Sequence, residues 1–502
     1  MLSRSEIKAL LTRMPAFDDM FVSLNAAPKM PAAMVRETRR VVALARKFND
    51  EVVRPYVQEL DLAMHENPDY LPYDFVFKAN EWGFYTMWIP RLFGGRGYNM
   101  SSMSVFVEEI GSVCLAMANL IGVHYLGVAT LCSPWNARVI NRICRDVVAG
   151  EKSGVPCLIS LAITEPGAGT DVEEVELSDK GNITCHARKV DGGYVINGSK
   201  IFISNGHIST WHMLIAYTDL KKPSENTIMM GVKTGTDGFS FGRMEHKMGQ
   251  KGCPASELIF KDCFVPDENV CLTWDGTMSS HRGARAATQQ VIDFVVSASR
   301  AGVGAFATGA ARGAFEQALA FAAETKINGK LLINHEWAQC LLAEMYKNVV
   351  TARLTYMETN YANSMYGFYK LLHQKLIFYY LKYVPAVIIE KLISPFLDTP
   401  LATRLLRKYM ADMQTDDEIH ICSGLGSLSK FTASDAGIRN CHLALDLMGQ
   451  AGLRHDRRAE KFLRDAKLLQ IYEGTNQLNR LNLFKCLIGR DFPQATVFEK
   501  GD

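Results

Sequence analysis

The sequence predicts a multi-domain, mainly α-helical protein with a β-domain in its middle, and three observations carry that prediction. Apolar residues recur at helical spacing from Met34 to about Asp61 and again along most of the chain beyond Asp275. Between Cys157 and Phe264 the pattern changes to short β-type runs separated by turns. With 502 residues, 48% of them hydrophobic, the chain is long enough for several domains with sizeable cores. The expected divisions are residues 1–156, 157–275 and 276–502.

Composition narrows the function. A formal net charge of +2 with 22% charged residues gives no general reason to expect nucleic acid or an acidic partner. The twelve cysteines contain no C-x-x-C pair and share no metal-ligand spacing with the twelve histidines, so reduced thiols, a cytoplasm-like compartment and no metal are expected. The start of the chain carries Glu6, Asp18 and Asp19 and lacks a long apolar core, which argues against a secretory signal. No uninterrupted apolar run reaches the length of about eighteen residues that a spanning helix requires.

In the first helical part, Val41, Leu44, Ala45, Phe48, Val52 and Tyr56 lie at helical spacing, interrupted by Pro55. A glycine-rich turn, Gly83 to Gly97, precedes a predicted helix from Ser101 to about Thr130 that carries the paired acids Glu108 and Glu109. The β-type runs are Cys157 to Thr164, Asn182 to Ala187, Gly193 to Asn197, Ser199 to Ser204, His212 to Tyr217, Thr227 to Val232 and Glu257 to Phe264. The first runs into Thr164-Glu165-Pro166-Gly167-Ala168-Gly169-Thr170, an open bend whose amides and hydroxyls suit the polar edge of a flat ligand. After Asp275, Arg300 to Ala323 reads as one helix rich in glycine and alanine, which favours close approach of a partner. No clean G-x-G-x-x-G follows a strand, so a Rossmann-type site is disfavoured.

The stretch that organises these parts is Gln470 to Arg480. Lys461 to Gln470 has helical spacing, Gly474 breaks it, and Thr475 or Asn476 caps a new helix toward Phe484. Glu473 therefore stands on a short bend, beside a glycine that lets backbone approach a ligand and a helix start that offers free N–H groups.

This stretch closely resembles the C-terminal signature of the acyl-CoA dehydrogenase family. Leu161 to Asp171 resembles the family's flavin-contact bend, Asn197 to Gly206 its second flavin segment, and Lys247 to Pro266 its last β-strands. The resemblance spans about Met34 to Arg490. It implies a helical N-terminal domain, a middle β-barrel or sandwich and a C-terminal four-helix bundle with FAD between them. Glu473 would take the α-proton of an acyl-CoA thioester while flavin accepts the β-hydride, and electrons would pass to an electron-transfer flavoprotein. By the same resemblance Phe202 shields one flavin face, Ser204 approaches its reactive nitrogen, and Leu161, Ile163, Thr164, Thr170, Gly474, Thr475 and Gln477 complete the cofactor site. Thr170, Arg300, Glu473 and Gly474 would meet the substrate, and a homodimer or homotetramer is implied.

Three departures accompany it. Thr325 and Asn328 stand where the family has Arg and Phe, and Asp446 stands where it has Gln, so the diphosphate half of FAD is expected to be held differently. An apparent insertion, about Met365 to Glu418, is apolar, aromatic and basic, and between Met365 and Met410 it has seven Lys or Arg against two acids. Spacing suggests a helix there with an aromatic stripe of Tyr369, Leu372, Leu376, Tyr379, Tyr380 and Tyr383 edged by Lys375 and Lys382. A membrane surface, a partner protein and an oligomer core would each fit it. An acyl-CoA oxidase on the same fold and a CoA- or flavin-binding subunit of a membrane complex are the alternative functions.

Overall fold

The computed structural model describes residues 3–11, 22–274, 282–492 and 494–498. The expected boundary at 275/276 lies outside them.

The N-terminal part is helical, as the spacing predicts. Helices α1 (Ala32–Phe48) and α2 (Arg54–Glu66) run on through a π-turn, with Pro55 tolerated in the first turn of α2. After α3 (Tyr73–Glu81) and the glycine-rich turn, the predicted long helix is two helices, α4 (Ser101–Gly111) and α5 (Leu115–Cys132). Ser112 ends the first by donating its hydroxyl back to Glu109 O at 2.8 Å, and Cys114 is extended. Helix α6 (Ala137–Ser153) is capped by Asn136 and stopped by Gly154 in the left-handed region.

The middle part is an eight-stranded sheet ordered β6-β7-β3-β2-β4-β5-β8, with β1 paired to β4. Its strands are β1 (Ile159–Ala162), β2 (His186–Val190), β3 (Gly193–Ser204), β4 (Trp211–Tyr217), β5 (Thr227–Lys233), β6 (Phe239–Met244), β7 (Ala255–Pro266) and β8 (Val270–Leu272). Two runs separate in the sequence, Gly193 to Asn197 and Ser199 to Ser204, are one strand. A register shift at Gly198, whose φ of +140° is open to glycine, lets the strand continue past the break. Strands β6 and β8 carry no clean alternation and were not among the predicted runs.

The C-terminal part is built on α7 (Ala284–Glu324), packed against α8 (Glu336–Met365) and α12 (Asp416–Met448). Helix α7 starts at Ala284, well before Arg300, because buried apolar side chains such as Phe294, Val295 and Val296 extend its core face backward. Its small residues admit close neighbours: a Cβ at Gly309 would meet Glu108 O at 2.7 Å. Glu108 and Glu109 are buried at this contact and join the helical parts. Glu109 pairs with Arg46 and Arg312 at 2.9 Å each, and Glu108 accepts Tyr356 Oη at 2.6 Å and pairs with Arg353.

Between α8 and α12 the inserted segment folds as a short turn of helix, Lys370–His373, then α9 (Lys375–Tyr383), α10 (Ala386–Leu397) and α11 (Pro400–Arg407). The expected single aromatic stripe is corrected. The chain breaks at the extended Gln374, Tyr369 is buried, Phe378 packs on Ala33 and Met34, and Lys382 pairs with Glu37. The last helices are α13 (Ala459–Lys467) and α14 (Asn476–Leu483).

Two helices, α5 and α7, match a membrane span in length and composition, but 83% and 72% of their most apolar windows are buried inside the protein. That burial is what core helices show. All twelve cysteines are free thiols, and Cys340 on α8 is the exposed one.

Candidate active site

Glu473 sits between α13 and α14 with φ +55°, followed by Gly474 at φ +73°. Two successive left-handed residues reverse the chain sharply, and Thr475 then caps α14 by accepting Leu478 N at 3.2 Å. A non-glycine residue held there costs about 1–3 kcal/mol, so the surroundings must fix it. They do so through its carbonyls. Lys430 Nζ donates to Gly474 O at 2.7 Å, and Asn479 Nδ2 donates to the same oxygen at 2.9 Å and to Glu473 O at 3.2 Å. Among the described residues the Glu473 carboxylate accepts one hydrogen bond, from Ser299 Oγ at 2.6 Å.

Arg300, expected at a helix start, lies in mid-helix on α7 and is only 1% exposed. Its guanidinium donates to Glu173 Oε2 and Ser427 Oγ at 3.0 Å each and to Glu473 O at 3.4 Å. It is therefore a cation beneath the Glu473 bend and does not line the cavity above it. Burial pushes the Glu173 carboxyl above its usual range, Arg300 opposes that, and the nearby charge of Glu473 adds to it. Burial likewise pushes Lys430 down to about 7, against the attraction of Glu173. A Cβ at Gly474 would lie 2.8 Å from Glu173 Oε2, so this position has room for glycine alone.

Glu473 faces a largely apolar cavity of 370 Å³ between the three parts of the chain. The β-domain supplies Leu161, Ile163, Thr164, Thr170, Phe202 and Ser204 to its wall. Phe202 is a second strained residue, at φ +56°, where the register of β3 against β7 shifts between Lys200 and Ile203. That bulge turns the ring out of the sheet and leaves it 55% exposed at the cavity. The hydroxyls of Thr164, Thr170 and Ser204 have no hydrogen-bond partner among the described residues. Such a wall, three free hydroxyls and an aromatic face, fits a flat heteroaromatic ring with polar edges.

Of the residues singled out in the sequence, Leu161, Ile163, Thr164, Thr170, Phe202, Ser204, Glu473 and Gly474 line this one cavity. Thr475 is occupied as a helix cap, Gln477 is exposed, and neither lines it. Thr325, Asn328 and Asp446 do not line it either. The cavity also takes residues that the sequence does not point to it, among them Glu173, Ser299 and Phe368, and Tyr369, expected on the insertion's aromatic stripe, lies in its wall. Glu173 follows the Thr164 to Asp171 bend and Ser299 precedes Arg300, whereas nothing in the insertion's sequence points Phe368 and Tyr369 inward.

Three family models cover most of the chain: the acyl-CoA dehydrogenase N-terminal domain over residues 36–151, the middle domain over 160–263 and the C-terminal domain over 284–364 and 399–488. The chain belongs to the acyl-CoA dehydrogenase family. It is an oxidoreductase of the class acting on CH–CH bonds, in a family of FAD-dependent enzymes. Among curated relatives, cyclohex-1-ene-1-carbonyl-CoA dehydrogenase of Syntrophus aciditrophicus is 28% identical over 78% of this chain and 77% of its own. Acryloyl-CoA reductase (NADH) of Anaerotignum propionicum is 27% identical over 90% of this chain and 95% of its own. Butyryl-CoA dehydrogenase from Megasphaera elsdenii has the same fold, with a TM-score of 0.68 at 22% identity over 90% of this chain and 98% of its own. The C-terminal domain model skips residues 365–398, which narrows the insertion to that span.

Proposed function

We propose that this acyl-CoA dehydrogenase desaturates an acyl-CoA thioester between its α and β carbons, with Glu473 as the base that takes the α-proton. The observation that carries the reading is the pairing of Glu473 and Phe202, two non-glycine residues held at positive φ and facing one apolar cavity. Strain of this kind persists only where the fold over-determines it, and functional sites are where it collects. Ser299 orients the carboxylate by donating to Oε2, and the apolar wall limits water around it. The N–H groups at the Glu473 bend are the nearby donors for an enolate oxygen. FAD, when bound, supplies the hydride acceptor. Thr164, Thr170 and Ser204 would hold the polar edges of its ring and Phe202 would cover one face, while Thr325, Asn328 and Asp446 call for another arrangement at the diphosphate. Arg300 acts as a positioning residue that clamps the bend.

An electron-transfer flavoprotein is the proposed electron acceptor, by resemblance to the acyl-CoA dehydrogenase family. A homodimer or homotetramer is the proposed assembly. The test is an absorbance scan of the purified protein followed by anaerobic addition of a panel of acyl-CoA thioesters. Bound flavin that bleaches with substrate and reoxidises slowly in air is expected. Colourless protein would refute the reading, and fast reoxidation in air would make the enzyme an oxidase.

Substrate choice is assigned to the wall that the insertion contributes. Phe368 and Tyr369 line the cavity beside Met100 and Met103, and the Tyr369 hydroxyl has no hydrogen-bond partner among the described residues. Tyr369→Ala should open that wall and raise the kcat/KM ratio of longer over shorter acyl groups by about tenfold or more, since each methylene accommodated is worth about 1–3 kcal/mol. Tyr369→Phe keeps the volume and isolates the hydroxyl. An unchanged chain-length profile in the Ala variant would remove Tyr369 from the substrate wall.

A further inference from the structure

We infer that the inserted segment, together with the helix that follows it, docks this enzyme on an anionic lipid surface through the outward face of α9, α10 and α11. The inward face of α10 packs through the buried Ile389 and Leu397. Its outward face shows Val387, Ile388, Leu392 and Phe396 to solvent, with Leu392 68% exposed. Helix α9 adds Leu376, 86% exposed, and Tyr383, while α11 adds Leu401 and Leu405. An apolar face this broad is costly in water unless something covers it.

The charges around it specify the cover. From Lys375 to Lys408 the segment has two acids, and both are turned toward α6. Glu390 pairs with Arg145 at 3.2 Å, and Asp398 accepts Asn141 Nδ2 at 3.0 Å. Lys391, Arg404 and Lys408 are exposed and have no carboxylate partner among the described residues. Lys375, also exposed, donates to the Pro28 carbonyl and keeps its charge unneutralised. The face is thus apolar with a cationic rim: Asp398, bonded to an amide, keeps its charge as Lys375 does, which leaves four exposed, unneutralised cations against one acid between Lys375 and Lys408. A two-fold contact with a second copy would set these cations against their own counterparts, which like-charge repulsion opposes. Helices α9 and α10 lie outside the family model, so their outward faces are not part of a surface the family shares, whereas α11 lies within it. A bilayer with anionic headgroups satisfies both halves, taking the leucines into the acyl boundary and the cations at the phosphates.

The test is flotation of the full-length protein with vesicles of phosphatidylcholine alone and of phosphatidylcholine mixed with phosphatidylglycerol, at low and high salt, with solution mass measured by light scattering. The wild-type chain should float with the mixed vesicles only and be released by salt. Lys391→Gln, Arg404→Gln and Lys408→Gln should each weaken binding about fivefold, and Val387→Glu with Leu392→Glu should abolish it. All five sites are exposed, so solution mass and flavin bleaching by a short acyl-CoA should stay as in wild type. No flotation on mixed vesicles, or equal flotation on both lipids, would overturn the proposal. A fall in solution mass in the Val387→Glu, Leu392→Glu variant would overturn it in favour of an interface between copies.

Discussion

Glu473→Gln is expected to leave flavin bound and to lower the rate of substrate bleaching by about a thousandfold or more, within the range that a positioned general base contributes. The amide oxygen can still accept from Ser299 Oγ, and the carbonyl contacts that hold the bend do not involve the side chain. Shape is kept and basicity is lost. The other carboxylate at the cavity is Glu173, whose oxygen is engaged by Arg300 at 3.0 Å, so Glu173→Gln should cost far less chemistry. Residual bleaching in Glu473→Gln that disappears only when Glu173 is also changed would move the base to Glu173.

Arg300→Met should destabilise the protein by about 3–5 kcal/mol, because it leaves the Glu173 side chain, only 17% exposed, beside Glu473 with its ion-pair partner removed. Changing Glu173→Ala as well should recover much of that loss, since the uncompensated charge goes with it. The pH dependence has a definite sign. The folded-state affinity of Glu173 for its proton is already above its ordinary value, and losing Arg300 removes an influence that lowers it. A raised carboxyl favours folding while protonated and stops doing so as pH rises through its folded pKa. Arg300→Met should therefore deviate least from wild type at mildly acid pH and most above neutrality. Urea unfolding of the single and double variants across that range checks it. A single-variant loss below about 1 kcal/mol would mean that the pair is solvated.

The bend at Glu473 and the Thr164 to Thr170 loop could be read from sequence because glycine, proline and a capping threonine constrain the chain locally. Their meeting at one cavity came only from resemblance, since Thr164 and Glu473 are far apart along the chain and join through tertiary packing. Phe202 lies at the cavity, but the bulge that turns it there leaves no mark in its own residue type. Arg300 was misread as a helix start because the small residues after it are so uniform. Nothing in that pattern reveals that the same helix continues back to Ala284 with its arginine enclosed. The insertion is the least legible stretch of the sequence. Aromatic and leucine residues at spacings of three and four fix a helix but do not say which side meets the protein, and the break at Gln374 split one apparent stripe between cavity and surface.

The distribution of thiols makes assembly measurable in the native chain. Burial raises the proton affinity of thiols such as Cys132, Cys271 and Cys441, which keeps them protonated and out of reach of reagents at neutral pH. Cys340, on the exposed side of α8, is the accessible one. A maleimide dye should mark each subunit once at Cys340, and energy transfer between copies labelled with donor and acceptor would count neighbours without any substitution.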